Sequence, residues 1–196
     1  MEYHISTPVS RKTAESLKAG DTVFITGTLI TARDKAHIRM AEYFESGKPL
    51  PLQLEGSVIF HGAPIVMSGK DDGGWEIVAI GPTTSARMND LQPPVIAHGA
   101  RAIIGKGGMD RRTLQALHDY GSVYLSMTGG TAVLGARKVL RVKGVEWQDL
   151  GLAEAAWVLE VSDFGPLTVT MDAHMCDLYE DVRNRVSENI KGMEFK

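Results

Sequence analysis

Glycine and proline cut this chain of 196 residues into apolar runs that are short and frequently interrupted, and this limits its folds more than any other feature. Residues 22–30 (TVFITGTLI), 57–60, 75–80, 101–104, 123–126, 156–161 and 166–171 are rich in β-branched and aromatic residues and bounded by turn formers. That pattern predicts strands. Helical spacing fills much of what lies between. Ser10 is placed to cap a helix through Leu17 that stops before Gly20. Ala36, Met40 and Phe44 recur every fourth residue in a helix expected over 33–44, which Gly47, Pro49 and Pro51 would end. Further helices are expected at 110–119 and from Thr131 through Lys138. Residues 68–74 (SGKDDGG) form a turn cluster, and 177–196 a charged peripheral helix or tail. Alternating strands and helices place the chain in the α/β class, as a single domain over 1–196 with no internal repeat.

Composition narrows the function. The formal charge is −3 and aromatic residues make up 7%, which disfavours a nucleic-acid surface built on basic patches and base stacking. A single cysteine, Cys176, excludes an intrachain disulfide and cannot by itself ligate an iron–sulfur cluster. No apolar stretch reaches membrane-spanning length and the N-terminus lacks a secretory pattern, so no membrane association and a cytoplasmic location are expected.

Several catalytic motifs are missing. Neither Gly-x-Ser-x-Gly nor His-Glu-x-x-His occurs, and Gly105-Lys106-Gly107-Gly108 has neither the spacing nor the hydroxyl residue of a phosphate-binding P-loop. What remains is a set of strand-to-helix turns carrying cations and hydroxyls. Arg33 and Asp34 open one helix with His37 a turn later; Thr83, Thr84 and Arg87 lie at a second turn, with a hydroxyl available as cap; Lys106 lies in the glycine loop. In α/β folds such turns gather at one sheet edge, where helix N-termini favour anions. Arginine forks suit carboxylates and a lysine adds a point charge, so the set suits a small dianion. The plainer alternatives are a surface Arg–Asp pair, a Thr cap, a packing histidine, a tight glycine turn, and loop positions for His61 and His98, each followed by glycine.

The segments GDTVFITGT (20–28), TARDKAH (31–37), GPTTSARM (81–88), IGKGGM (104–109), EVSDF (160–164) and DLY (177–179) together resemble the β subunit of two-subunit class I fumarate hydratases. The same module forms the C-terminal domain of single-chain class I fumarases and the β subunit of L-tartrate dehydratase. The resemblance runs from about Ile5 to Asp181. It implies a swivelling β/β/α domain, a central sheet flanked by helices, and a hydro-lyase reaction, the reversible hydration of fumarate to L-malate. It further implies a site shared with an α subunit that holds a 4Fe–4S cluster, with no metal bound by this chain alone. By motif, Arg33, Arg87 and Lys106 would bind the dicarboxylate and Thr83 would transfer the proton. Asp34 and His37 would support Arg33, with Thr84 beside them. The stretch 163–166 (DFGP) is similar to the tartrate dehydratase version, which keeps tartrate as an alternative substrate. A non-catalytic dicarboxylate-binding module is the alternative from another class. An apolar face toward the α subunit is expected, through which isolated chains could self-associate.

Overall fold

The computed structural model describes residues 1–68 and 74–191. Five strands, β1 (Glu2–Ser6), β2 (Thr22–Thr31), β3 (Val58–Phe60), β6 (Ala102–Gly105) and β7 (Val123–Ser126), run parallel and adjacent in that order. A sixteen-residue strand, β9 (Ala156–Met171), lies antiparallel to β7 and also to β2, so that β2, β3, β6, β7 and β9 close into a ring. β8 (Val139–Glu146) pairs with the outer edge of β9. β4 (Gly62–Ser68) and β5 (Trp75–Pro82) form a separate antiparallel ribbon.

The two-residue period of the strands divides the core. Val58, Phe60, Ala102, Ile104, Val123 and Leu125 point to one side and pack with Val23, Leu29, Trp157 and Phe164. Their neighbours Ile59, Ile103 and Tyr124 point to the other side, against the helices α2 (Asp34–Ser46), α3 (Gln92–Ala97) and α4 (Arg111–Tyr120). Ala36 and Met40 are fully buried there and Phe44 packs at the margin, as their spacing predicts. The helix ends follow their capping chemistry. The Ser10 hydroxyl accepts from the Thr13 amide at the start of α1 (Arg11–Ser16), and the Asp110 carboxylate from the Thr113 amide at the start of α4. Gly47 and Gly121 end α2 and α4 in the left-handed conformation.

The structure departs from sequence expectation in several places. Residues 156–161 and 166–171 belong to one continuous strand, β9, bent by register shifts rather than broken at Gly165-Pro166. The helix expected through Lys138 is only α5 (Ala132–Ala136), because the chain turns at once into β8. β1, β4, β8 and α3 have no counterpart in the sequence expectation. Pro93 and Pro94 are tolerated in α3 because they occupy its first turn, where amides are unpaired anyway. Within the expected turn cluster, residues 69–73 lie outside the described residues. The C-terminal run is α6 (Leu178–Lys191), which buries none of its residues; the last five of the expected tail lie outside the described residues. No helix among the described residues is long and apolar enough to cross a membrane.

Candidate active site

Parallel strands in register deliver their C-terminal ends to one edge. Thr31, Phe60 and Ile104 are paired neighbours in β2, β3 and β6, and the chain continues from them into Arg33, His61 and Lys106 respectively. The end of the β4–β5 ribbon joins them. The Thr83 amide donates to the His61 carbonyl (2.7 Å), Thr84 bridges to Lys106, and the Ser85 amide donates to the Lys106 carbonyl (3.1 Å). The segments bearing Arg33, Thr83, Arg87 and Lys106 are thereby tied to one another through the backbone.

Arg87 leaves a single 3₁₀ turn (Ser85–Met88) and forks onto Asp34, with Nε and Nη2 each 2.9 Å from a carboxylate oxygen. Its Nη2 also donates to Thr83 Oγ1 (3.0 Å). The hydrogen bonds from Arg87 hold the Asp34 carboxyl below the usual carboxylate range, and Asp34 raises Arg87 in turn. Asp34 therefore takes Arg87, not the adjacent Arg33, as its partner. Arg33 instead approaches Glu154, Nη2 to Oε1, at 3.5 Å. Glu154 also accepts from the Lys35 amide (3.0 Å), supplying the side-chain cap that Arg33, at the N-cap of α2, does not make. Glu154 carried no motif signal, because it reaches the site from a turn more than a hundred residues away in sequence. Thr84 is exposed and caps nothing with its hydroxyl; its contribution is the backbone bridge to Lys106. Lys106 is exposed, with its stem close to Gly129, where an added Cβ would lie 3.3 Å from Cδ. A cavity of about 720 Å³ is lined by Val9, Leu52, Ser57, Lys143 and Val158 among others and includes none of these groups.

A buried polar layer lies directly beneath. Gln92 Oε1 is placed 2.9 Å from His37 Nε2 and 2.7 Å from His61 Nε2. The other nitrogen of His37 faces the Arg33 carbonyl at 2.9 Å, and that of His61 faces Ser85 Oγ at 2.9 Å. Tyr124 Oη lies 2.8 Å from Ser85 Oγ and 2.7 Å from the Gly107 carbonyl oxygen. All five side chains belong to residues with no solvent exposure. His37 thus supports Arg33 through its main-chain carbonyl, and His61 is a core residue rather than the expected loop position. Of the three members given no role by sequence reading, Gln92, Ser85 and Tyr124, only Tyr124 carries a signal, since a phenol inside a buried strand requires a polar partner.

Burial lowers the pKa of both imidazoles, that of His61 to about 3, with the neighbouring His37 adding repulsion. The unfolded chain then binds protons below about pH 6.5 that the folded chain refuses. Stability is complete above that pH and falls as the pH drops toward 3. His61 alone should remove about 2 kcal/mol between pH 7 and pH 5. Urea unfolding at the two pH values measures it, and an unchanged midpoint would mean that these rings charge without penalty.

The donor set does not suit a cluster or metal ion. Cys176 is exposed and its thiol is pushed up by burial and nearby carboxylates, and no group of three His, Cys, Asp or Glu among the described residues is placed to hold a metal.

The chain is similar to several known proteins. Residues 2–182 match the family described as "Fumarase C-terminus". The chain is 45% identical over 192 residues to the Methanocaldococcus jannaschii protein named "Putative L(+)-tartrate dehydratase subunit beta", covering 97% of each chain. It is 35% identical to the "L(+)-tartrate dehydratase subunit beta" of Escherichia coli, covering 96% of this chain and 92% of that one. It is 37% identical to a Geobacillus stearothermophilus protein named "Putative fumarate hydratase class I", with 95% of this chain matching 35% of that one.

Proposed function

This chain belongs to the fumarase C-terminus family, and from that premise we propose that it is the β subunit of a two-subunit iron–sulfur hydro-lyase that adds water to fumarate and removes it from L-malate. The observation that carries this reading is the contact between Arg87 and Thr83. Threonine is a poor base at neutral pH. A guanidinium N–H donated to its oxygen stabilises the alkoxide side of the equilibrium and leaves the hydroxyl hydrogen free to face a ligand. In the hydration direction Thr83 gives that proton to one alkene carbon, and in dehydration it takes it back. Arg33, Lys106 and the unengaged part of Arg87 neutralise the two carboxylates and the charge that gathers on one of them as the C–H bond breaks. The Asp34 and Glu154 carboxylates hold the two guanidiniums in place without a ligand, so a dianion meets a largely preset clamp.

Departure of hydroxide calls for a Lewis acid, which the cluster would supply when bound, and the described residues of this chain offer no group suited to hold one. We assign it to a cluster-bearing α subunit. Two features support such a partner. Arg87 and Lys106 are exposed, and exposed apolar side chains, Ile65 and Val78 on the ribbon and Val133 and Leu134 on α5, lie on the elements that lead into Thr83 and follow Gly129 beside Lys106. Replacing Leu134 with Glu should abolish co-purification with the α subunit while leaving the urea midpoint of the isolated chain unchanged. Undiminished assembly would move the interface elsewhere.

The names of the full-length relatives favour a second reading, L(+)-tartrate as substrate. The clamp described above accounts for two carboxylates and one proton, which is complete for malate, whereas tartrate brings a second hydroxyl. Anaerobic co-expression with a candidate cluster-bearing α subunit, followed by kcat/KM on L-malate, fumarate and L(+)-tartrate, decides between them. A higher value on tartrate establishes the second reading. Binding of dicarboxylates without turnover of any of them would leave a binding module.

A further inference from the structure

The buried layer beneath the clamp can be given a direction, because its hydrogens must balance. The Arg33 carbonyl only accepts, so His37 carries its hydrogen on the nitrogen facing it, Nδ1. If the Gln92 oxygen were the atom between the rings, His37 would also need a hydrogen on Nε2 and would be a cation sealed from water. The Gln92 amide nitrogen would meanwhile be a buried donor with no acceptor. A half-turn of the amide removes both problems. The two hydrogens of its nitrogen then fall to the two imidazole Nε2 atoms, and a single carbonyl oxygen is left buried in place of two stranded donors.

We infer that the Gln92 amide donates to His37 and His61 together, and that the two donor chains starting there make Gln92, His61, Ser85 and Tyr124 positioning residues for the clamp. One chain runs from Gln92 to His37 and ends on the carbonyl of Arg33. The other runs from Gln92 to His61 Nε2 and from His61 Nδ1–H to Ser85 Oγ, which lies 2.8 Å from Tyr124 Oη, and ends where Tyr124 donates to the carbonyl of Gly107, next to Lys106. Between them the His61 carbonyl holds the Thr83 amide. One amide in a water-free layer thereby fixes the separation of three ligand-facing segments that no shared element joins. A reversal at Gln92 would exchange donor and acceptor at both nitrogens of His61 and so at Ser85, next to the Tyr124 that holds the loop of Lys106.

The kinetic arm of the test rests on the hydro-lyase reading; the spectroscopic arm does not. Nitrogen-15 NMR of the full labelled chain at pH 7 should show both rings neutral and protonated on Nδ1. An Nε2–H ring or an imidazolium at either position overturns the inference, whatever the enzyme does. In the assembled enzyme, Gln92→Glu can accept but not donate, and Tyr124→Phe cuts only the last link while keeping the ring. Each should lower kcat/KM about tenfold or more. Tyr124→Phe should do so mainly through KM, and Gln92→Glu with a larger primary isotope effect from C-deuterated malate. A loss of total rate with KM and isotope effect unchanged would show a purely structural role and overturn the positioning claim. With the expected tautomers seen and no hydro-lyase activity in the unsubstituted assembly, the network stands and the proposed function falls.

Discussion

Arg87→Ala should lower kcat/KM of the assembled hydro-lyase by about 10²–10³, the loss typical of removing one preorganised donor from a site where charge develops. One guanidinium serves three ends. It occupies Asp34 with a fork, donates to Thr83 Oγ1, and keeps further N–H groups for the ligand. Arg87→Lys should recover little, because a single ammonium cannot span both oxygens of Asp34 and reach Thr83 as well. The fall should lie in kcat as much as in KM, since the Thr83 contact matters most when the proton moves. Folding gives the control. With Arg87 42% and Asp34 33% exposed, solvent screens the pair, so unfolding free energy should change by no more than about 1 kcal/mol. Full activity in Arg87→Ala would reduce the Arg87–Thr83–Asp34 group to an ordinary surface ion pair.

Much of the clamp was legible because its residues sit where local rules speak. Arg33, Thr83, Arg87 and Lys106 follow strand ends, and strand ends are marked by a change from period two to helical spacing or glycine. Most strands are legible as apolar runs bounded by turn formers, with β4 an exception. Legibility failed where long-range pairing sets the outcome. β8 follows directly on an expected helix and has no assignment of its own until β9 offers it an edge, and β9 reads as two strands because proline normally breaks a central one. The buried layer was illegible for a related reason. Gln92 and Ser85 are residue types common on surfaces, and only the fold brings them under β3 and β6, from positions 31 and 24 residues from His61. Asp34 shows the same limit, since adjacency in sequence suggested Arg33 while the fork geometry chose Arg87.

The glycine loop is the place where the buried layer and the clamp can be separated by experiment. Gly105→Ala puts a Cβ 1.9 Å from Ser85 Oγ, 2.8 Å from Tyr124 Oη and 3.2 Å from His61 Nδ1. None of these can withdraw to solvent, because Ser85, Tyr124 and His61 are fully buried and the Ser85 amide is held by the Lys106 carbonyl. The cost combines overpacking with broken buried hydrogen bonds, about 3 kcal/mol in all. That corresponds to a Tm lower by roughly 6–12 °C. Gly107→Ala, two residues along, is a different substitution. Its Cβ meets nothing within 4 Å, and the penalty is that of a left-handed backbone at φ +78°, about 1 kcal/mol. The contrast means that Gly105 is required by the layer below and Gly107 by the turn that presents Lys106. A double-mutant cycle makes the first claim strict. Ser85→Ala deletes the oxygen that the new methyl would strike, so Gly105→Ala should cost measurably less in that background than in the native chain. Strictly additive urea midpoints would mean that the Cβ is accommodated by moving the backbone, and Gly105 would then have no special tie to Ser85.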